Sequence, residues 1–428
     1  MKAVKIVLFV FLSVTVVLTA FTSGFYVAGQ TDTTSAAAPF PLPSARSGAT
    51  SPNDVPKQFQ TLNEVWRVLR EEFIDGKNLD ADKLGKAAID GMLSALDDRH
   101  THFLDRQTRE AENSALRGSY EGIGAHVQMD DGVLTIVAPL AGSPAEAAGI
   151  RPGDKILALD GVNLQGMNLS DAVAKVKGPK GSKITLTIQR QGSNTQQPIE
   201  VTRDEIKTAS VVLGMQPDGI AHIRISQFGQ RTADELRDAL SNARRQNAKG
   251  LVLDLRNNPG GLLDATVEIT NMFLDGGIAG YQLDKNGRRE TLRLSGKGDY
   301  TEIPLAVLVN GGSASGSELL AGALQDRNRA KLVGTTTYGK GSVNHLKELT
   351  DRSALYVTIG RWLTPNGRLI EGNGLTPDFP IAITEDDLKA MRDAAAAMAP
   401  ASTIPSVALL DADPQMKKAR ELLRGGGR

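Results

Sequence analysis

The chain has 428 residues, with 49 lysines and arginines against 49 aspartates and glutamates, and it has no cysteine. This length suggests about two or three domains, and the even charge balance argues against a dedicated nucleic-acid binder, which needs a basic surplus. The lack of cysteine excludes disulfides, thiolate nucleophiles and cysteine-ligated metal sites, so a nucleophile in this chain is an oxygen or an amine.

The N-terminal segment predicts export. Lys2 and Lys5 precede an uncharged run over residues 6–30, and its most apolar part is residues 6–20. A short basic stretch before an apolar one is typical of a signal peptide, and residues 6–28 are also just long enough to cross a bilayer. We assign residues 1–30 to a signal peptide or an uncleaved membrane anchor and favour the anchor. The body is then extracytoplasmic, in the periplasm or cell envelope.

A linker and two helices follow. Residues 31–56 are rich in Ser, Thr, Ala and Pro, which predicts a linker that holds the body off the membrane. Apolar residues at helical spacing predict one helix between Pro56 and Gly76, and a second over residues 80–96. We assign residues 57–117 to an N-terminal helical region.

From residue 118 to 205 the pattern changes to short apolar runs separated by glycine turns. Runs of this kind predict strands. The predicted elements are strands over 133–137, 155–159 and 183–189, and helices over 143–148 and 169–176.

A glycine-rich loop opens this region with the residues Gly122, Ile123, Gly124 and Ala125. Successive backbone N–H groups in such a loop can hold a terminal carboxylate, and the peptide then adds as a strand beside the loop. A plain tight turn has the same pattern. The downstream stretch SPAEAAGIRPGDKILALDG at 143–161 decides between them, because with it residues 118–205 strongly resemble a PDZ domain.

The rest of the chain alternates strands with helices. The predicted strands are 220–225, 251–255, 305–309 and 331–333, and the predicted helices between them are 233–246, 262–273 and 316–325. Alternation of this kind implies an α/β layer. We assign residues 206–382 to one catalytic core and residues 383–428 to a tail with helices over 386–397 and 414–423.

Three alternating serines, Ser313, Ser315 and Ser317, lie where a buried strand passes through a glycine turn into a helix. Ser315 and Glu318 have the spacing of a capping box, which explains that pair without any chemistry. A helix N-terminus also favours negative charge, and the N–H beside a nucleophile can stabilise an oxyanion. A serine here is therefore a candidate nucleophile, although local chemistry does not choose among the three.

A serine nucleophile needs a base, and the sequence offers Lys340 between Gly339 and Gly341. The two glycines allow close backbone approach, and burial lowers the pKa of a lysine until its neutral amine can act as a base. Taken alone, Lys340 is better interpreted as a surface lysine in a loop. The five histidines fall in no recognisable triad, so a histidine such as His345 is a less favoured base.

The sequence resembles the carboxy-terminal processing peptidases, also called tail-specific proteases, over nearly the whole chain after the linker. Besides the PDZ stretch, the matching segments are GMLSALDDRHTHFL at 91–104, DLRNNPGG at 254–261, NGGSASGSE at 310–318, YGKGSVN at 338–344, RWLTPNGRLIEGNGLTPD at 361–378 and DPQMKKARELL at 413–423. In this family the serine nucleophile and the lysine base are 25 residues apart. That spacing selects Ser315 as the partner of Lys340.

The resemblance also implies the remaining site residues. It implies an oxyanion hole from the N–H of Gly316 and from Gly260 or Gly261 of the N-P-G-G turn. Gly316 stands where the family usually has alanine. Glycine at this position keeps the backbone N–H and loosens the start of the helix. Asn344 stands where the family usually has a glutamine that orients the lysine, and its reach is one methylene shorter.

The predicted architecture is a mixed α/β, crotonase-like and Clp-protease-like catalytic core with an inserted PDZ domain and N-terminal helices. The predicted function is Ser–Lys endoproteolysis of exported proteins near their C-termini, with the PDZ domain binding apolar C-terminal tails. We expect no metal or other cofactor and no nucleic-acid partner, and we leave homo-oligomerisation open. The alternative is a membrane-tethered PDZ binding module with an inactive protease core. The presence of both Ser315 and Lys340 favours the enzyme.

Overall fold

A computed structural model describes residues 57–190, 193, 195–396 and 411–425. The predicted export segment, residues 1–30, and the predicted linker, residues 31–56, lie outside the described residues. Within the described part of the chain, no helix combines the length and apolar character that a membrane span requires.

Two amphipathic helices begin the described chain. Helix α1 is Lys57–Glu72, a 3-10 turn follows at Gly76–Asn78, and helix α2 is Ala81–Ser94. Asp80 caps α2 by accepting from the Lys83 N–H at 3.0 Å, which satisfies one of the free amides of the first turn. Both helical predictions are confirmed. Neither helix has a buried residue, so their apolar stripes stay largely exposed in the described structure.

Strand β1, His102–Leu104, and helix α3, Arg106–Arg117, were not predicted. The caps of α3 are visible in the sequence, since Asp105 accepts from the Thr108 N–H at 2.8 Å and Gly118 ends the helix with a φ of 68°. The helix itself has few apolar residues. A search for apolar periodicity therefore passes over it.

Residues 119–207 form a module with its own core. The chain enters and leaves it through an antiparallel ribbon of β2, Ser119–Gly122, and β9, Asp204–Lys207. The module's other elements are strands β3 Ala125–Asp130, β4 Val133–Pro139, β5 Lys155–Leu159, β6 Val162–Asn163, β7 Lys183–Gln189 and β8 Gln196–Thr202, and helices α4 Pro144–Ala147 and α5 Leu169–Val176. The sheet order is β3-β4-β5-β7-β8, which leaves β3 at one edge. The strands and helices predicted for this region are confirmed.

A six-stranded sheet forms the centre of the remaining chain, in the order β10-β11-β12-β15-β16-β19. Its strands are β10 Val211–Met215, β11 Ile220–Ile225, β12 Gly250–Asp254, β15 Leu305–Val309, β16 Lys331–Gly334 and β19 Phe379–Pro380. Only β10 pairs antiparallel with its neighbour, and the other pairs are parallel. Strands β12 and β15 are buried along their whole length, as expected of a parallel sheet covered on both faces.

Helices cover both faces of this sheet. Helices α6 Thr232–Arg245, α7 Leu263–Phe273 and α8 Gly316–Asp326 bury residues in the main apolar core, together with Leu253 and Val307 of the sheet. On the opposite face, Met416 and Ala419 pack with Val252 and Leu308. They belong to α10, Pro414–Arg424, which follows α9, Glu385–Ala396.

An antiparallel sheet that the sequence did not predict completes the core. It contains β1, β13 Ile278–Asp284, β14 Arg289–Arg293, β17 Ser342–Glu348 and β18 Ala354–Leu363. Strand β18 is its longest member and pairs with β1, β13 and β17. The expected mixed α/β architecture with an inserted module and N-terminal helices is confirmed, and this second sheet carries the strand that follows Lys340.

Candidate active site

Ser315 lies in a strained turn between β15 and α8. Its backbone angles are φ 54° and ψ −110°, a region that residues with a side chain rarely adopt and that is commonly found at functional sites. The residue is fully buried, and its Oγ has no hydrogen-bond partner among the described residues. A hydroxyl held in this way is available to a reacting group.

The neighbouring serines have fixed structural partners. The Ser313 hydroxyl donates to the Leu255 carbonyl at 2.8 Å and accepts from the Asn310 N–H. The Ser317 hydroxyl donates to the Asn258 carbonyl at 2.8 Å. These contacts separate Ser315 from the other two serines, a choice that local sequence chemistry left open.

The carboxylate of Glu318 joins the serine turn to the lysine loop. Its Oε2 accepts from the Ser315 N–H at 2.8 Å and from the Lys340 N–H at 2.9 Å. Because both bonds end on one oxygen, the two backbone nitrogens lie within about 6 Å of each other. Its Oε1 accepts from the Gly339 N–H at 2.7 Å and from the Thr337 hydroxyl at 2.5 Å.

Glu318 was interpreted from the sequence as a capping residue only. It does accept from the N–H of the residue that precedes α8, but its contacts with the lysine loop were missed. Burial raises the pKa of this carboxyl, whereas the hydrogen bonds from Thr337, Gly339, Ser315 and Lys340 act in the opposite direction. Four donors and no acceptor surround it, which is the environment of an ionised carboxylate.

Lys340 is buried, with 2% of its surface exposed. Burial lowers its pKa to about 7, and it outweighs the charges of Glu112, Glu371, Glu318 and Asp98, which act to raise the pKa. Burial thus brings the pKa of this amine into the neutral range, where its uncharged form is accessible. Such an amine can act as a base.

The glycines beside Lys340 are required by packing. A Cβ on Gly341 would lie 2.2 Å from the Glu371 nitrogen, and one on Gly339 would lie 3.0 Å from the Gly374 nitrogen. Gly339 also has a φ of 83°. The segment 371–374 thus packs directly on the lysine loop and helps to exclude water from it.

Asn344 is fully buried at the start of β17, and both ends of its amide have partners. Its Nδ2 donates to the His100 carbonyl at 2.8 Å and to the Thr358 Oγ1 at 3.2 Å. Its Oδ1 accepts from the Ser342 hydroxyl at 3.0 Å. These bonds hold the 100–102 stretch against β17, the strand that follows Lys340. His345, the alternative base, is exposed on the same strand.

A cavity of about 660 Å³ opens beside the lysine loop. Its lining includes His100, Ser342, Thr358 and Glu371. His100 is buried, and its Nε2 lies 3.2 Å from Glu371 Oε1. Burial and then the Lys340 charge lower the His100 pKa, so this ring is neutral at pH 7. His100 lies in the turn just before β1, inside the matching segment 91–104, but the sequence analysis gave it no role in the site.

The N-P-G-G turn packs against the serine turn. A Cβ on Gly260 would lie 2.8 Å from the Ser315 Cβ and 2.9 Å from the Gly316 nitrogen, so only glycine fits. The Gly260 N–H donates to Asn258 Oδ1 at 2.9 Å. Gly260, Gly261 and Gly316 are thus brought to one place, and the Gly260 N–H is already used within the turn.

The predicted tail-binding loop lies at the edge strand β3. Ile123 is buried, and its carbonyl accepts from the Ala145 N–H at 2.8 Å. Gly124 has a φ of 74°, and a Cβ on it would lie 2.5 Å from the Ser143 Cβ. The loop from Gly122 to Ala125 is therefore packed against the start of α4, and no described strand pairs with the outer edge of β3.

Replacing Glu318 by glutamine tests the link between the two loops. An amide presents an NH₂ to at least one of the backbone N–H groups, so buried donors lose their acceptor. We expect E318Q to lower the free energy of unfolding by at least about 2 kcal/mol, measured by denaturant titration. The exposed-site control E348Q should change it by less than about 0.5 kcal/mol. Equal stability of E318Q and the wild type would contradict the link.

Two family models match the chain. The model described as peptidase family S41 matches residues 219–381, and the model described as a PDZ domain matches residues 135–190. The carboxy-terminal processing protease CtpA of Bacillus subtilis (strain 168) is 38% identical over 321 residues, which are 75% of this chain and 68% of that protein. The probable CtpA-like serine protease of Staphylococcus aureus (strain COL) is 38% identical over 322 residues, which are 75% of this chain and 64% of that protein.

Among solved structures, the photosystem II D1 C-terminal processing protease is similar, at 29% sequence identity and a TM-score of 0.44. The match covers 76% of this chain and 93% of that chain.

The two family models and the relative in Bacillus subtilis confirm the family resemblance inferred from the sequence motifs. The chain belongs to peptidase family S41, among the serine-type carboxy-terminal processing peptidases, and carries a PDZ domain.

Proposed function

We propose that this chain is an endopeptidase that cleaves exported proteins near their C-termini, with Ser315 as nucleophile and Lys340 as base. One observation carries the proposal. A single oxygen of Glu318 accepts from the backbone of a strained serine with an unpartnered hydroxyl and from the backbone of a buried lysine whose pKa is about 7. A nucleophile and a matched base are thereby held in one buried place.

The reaction follows the general course of acyl transfer. Neutral Lys340 takes the proton of the Ser315 hydroxyl as Oγ attacks the peptide carbonyl carbon, and the resulting ammonium then protonates the leaving amine. Water next attacks the acyl-enzyme and gives a proton to the same amine; the bond from the carbonyl carbon to Ser315 Oγ then breaks, Oγ takes that proton back, and the new carboxyl terminus is released. Burial in a low-dielectric site lowers the pKa of the lysine, so that its neutral amine is available as a base near neutral pH, and strengthens each interaction with the developing charge.

We assign the oxyanion hole to the N–H groups of Gly316 and Gly261. Gly316 begins α8, where first-turn amides have no partner within the helix. Gly260 serves by its lack of a side chain, because its own N–H donates to Asn258 and a Cβ would press on the Gly316 nitrogen. Asn344 acts on Lys340 indirectly, by fastening the 100–102 stretch against the strand that follows the lysine.

The PDZ domain binds the C-terminal tail of the protein substrate. A tail adding as a strand along the open edge of β3 gains main-chain hydrogen bonds, and its terminal carboxylate reaches the loop from Gly122 to Ala125. This mode tolerates many sequences and favours apolar side chains near the terminus. The domain family fits such partners.

The compartment and assembly are part of the same proposal. Residues 1–30 would carry the chain out of the cytoplasm and anchor it to the membrane, which places its substrates among exported proteins. The exposed apolar stripe of α1 and α2 includes Phe59, Leu62 and Val65. A second copy of the chain would cover this stripe, and homo-oligomerisation is its simplest explanation.

Removing either member of the dyad should abolish cleavage. We expect S315A and K340M to lower kcat/KM by at least about 10³-fold on an unfolded protein with an apolar C-terminal tail, because each removes a group that reacts. Substitutions at the exposed residues Ser295 and Lys347 are the matched controls and should leave cleavage unchanged. Cleavage that survives S315A or K340M would refute the dyad. A wild-type protein that binds the tail but never cuts would instead support a PDZ binding module with an inactive core.

The pH profile should report the lysine. Because the amine is charged below its pKa of about 7 and neutral above it, kcat/KM should rise with pH through about 7. In the unfolded chain the pKa is about 10.4, so the unfolded state binds more protons between about pH 7 and 10. The contribution of Lys340 to stability therefore rises over that window, and K340M should lack the rise. A kcat/KM that is flat from pH 6 to 8 would contradict the amine base.

Tail binding is tested by two matched glycine substitutions. G124A places a Cβ against Ser143 at a positive φ, whereas G132A introduces the same positive-φ strain into open space. We expect G124A to weaken binding of a fluorescent apolar C-terminal peptide by at least about 10-fold, and G132A to leave it unchanged. Amidation of the peptide terminus should weaken wild-type binding similarly. Equal binding of the free and amidated peptides would rule out carboxylate capture by this loop.

A further inference from the structure

Arg256 connects the start of the C-terminal helix α10 to the N-P-G-G turn. We call this turn the oxyanion turn, because the proposed function assigns its Gly261 N–H to the oxyanion hole. Arg256 Nη1 donates to Asp413 Oδ2 at 2.6 Å and to Gln415 Oε1 at 3.1 Å. Its Nε and Nη2 donate to the two oxygens of Asp254 at 2.9 and 2.7 Å. The guanidinium is thus held between the end of β12 and the first turn of α10.

Attachment of α10 does not explain this buried ionic group. The helix is already held by Met416 and Ala419 in the apolar core, and by Arg420, whose Nη2 lies 3.0 Å from Asp218 Oδ2. Buried ion pairs add little stability over apolar contacts of the same size, because desolvation offsets their attraction. The Asp413 carboxylate is 3% exposed; its Oδ1 caps α10, which leaves the contact of Oδ2 with Arg256 to be explained.

Arg256 stands where the oxyanion turn begins. Asn257 has a φ of 58°, and Gly260 and Gly261 have φ values of 105° and 147°, so the segment belongs to no regular strand or helix. The shape of the turn therefore depends on hydrogen bonds that hold it at its start, its middle and its end, and we call these its anchors. Asn258 is the central one, with Nδ2 donating to the Ile225 carbonyl at 3.0 Å, and at the exit the Phe228 N–H donates to the Gly260 carbonyl at 2.9 Å.

The entry anchor is the Arg256 group itself. The Arg256 N–H donates to Asp254 Oδ1 at 3.1 Å, so the same carboxylate fixes both the backbone and the side chain of Arg256. His222 Nε2 lies 3.1 Å from the other Asp254 oxygen. The side chains of Asp413 and Gln415, at the start of α10, accept from the Arg256 guanidinium. Helix α10 packs on the face of the sheet opposite the main apolar core.

We propose that Asp413 and Gln415 are positioning residues for the reaction, which hold Arg256 and through it the turn that presents the Gly261 N–H to the oxyanion. The inference rests on the proposed function, since it assumes that this turn lines the oxyanion hole. It gives the C-terminal motif DPQMKKARELL a role in the chemistry, because the D and the Q of its first three residues are the two that contact Arg256.

The variant D413N isolates this contact. Asparagine caps a helix as well as aspartate does, and Asp413 Oδ1 already accepts from the Gln415 and Met416 N–H groups, so α10 should still form. The substitution removes the charge and turns an NH₂ toward the guanidinium. Loss of a whole oxyanion donor costs about 10²- to 10³-fold in kcat, so a displaced one should cost about 10- to 100-fold, with KM nearly unchanged.

A peptide aldehyde of the substrate sequence gives a readout that a purely structural role would not move. Its reversible adduct with the Ser315 Oγ places an oxygen in the oxyanion position, so its affinity should fall by the same factor as kcat/KM. Q415M should show a smaller loss of the same kind. D218N, which neutralises one of the two carboxylates that pair with Arg420, is the matched control and should leave kcat and aldehyde affinity unchanged.

The outcomes separate the two proposals. A wild type that the aldehyde does not inhibit, or an S315A variant that still cleaves, would refute the proposed function. If the wild type behaves as proposed and D413N keeps the wild-type kcat, the positioning role alone is wrong. A loss of kcat in D413N and D218N that follows a common fall in Tm would also refute it, because α10 would then act only on stability.

Discussion

The proposed site depends on one carboxylate, that of Glu318, which accepts from the backbone N–H groups of both Ser315 and Lys340. Holding Ser315 at φ 54° costs about 1–3 kcal/mol. Hydrogen bonds to a charged group contribute about 1.5–3 kcal/mol each, so the four that end on Glu318 can offset both this strain and the desolvation of the carboxylate. The same carboxylate that stabilises the serine turn also holds the lysine loop, so one group positions both members of the proposed dyad.

At Lys340, burial and the nearby charges change the pKa in opposite directions. Four carboxylates act to raise its pKa, yet burial prevails and lowers it to about 7. Water must therefore be excluded more effectively than charge is supplied, which explains the tight packing of residues 371–374 on the flanking glycines. A Cβ at Gly341 would displace this cover, expose the amine and return its pKa toward that of a surface lysine. The neutral state of the amine in this site thus depends on backbone packing.

The elements with strong periodicity could be predicted from the sequence, and those defined by distant contacts could not. The buried runs of β12 and β15 and the helix from Gly316 were correctly predicted because their patterns are local. The polar α3 and the strand Arg289–Arg293 lack such a pattern. The S-x-x-E spacing identified Glu318 as a cap, but no local signal relates it to a backbone amide 22 residues later. The bond from Arg256 to Asp413 spans 157 residues and is likewise invisible to spacing.

The PDZ module of the proposed enzyme has an apolar core of its own, and the ribbon of β2 and β9 joins it to the rest of the chain. A captured tail keeps the rest of its chain near Ser315 at a high effective concentration. Neither the edge of β3 nor the oxyanion hole would distinguish strongly between sequences, because the first would bind the peptide backbone and the second a carbonyl oxygen. Selectivity must then come from the free carboxylate and from the unfolded state of the chain behind it, because a folded domain cannot thread its backbone into a buried dyad.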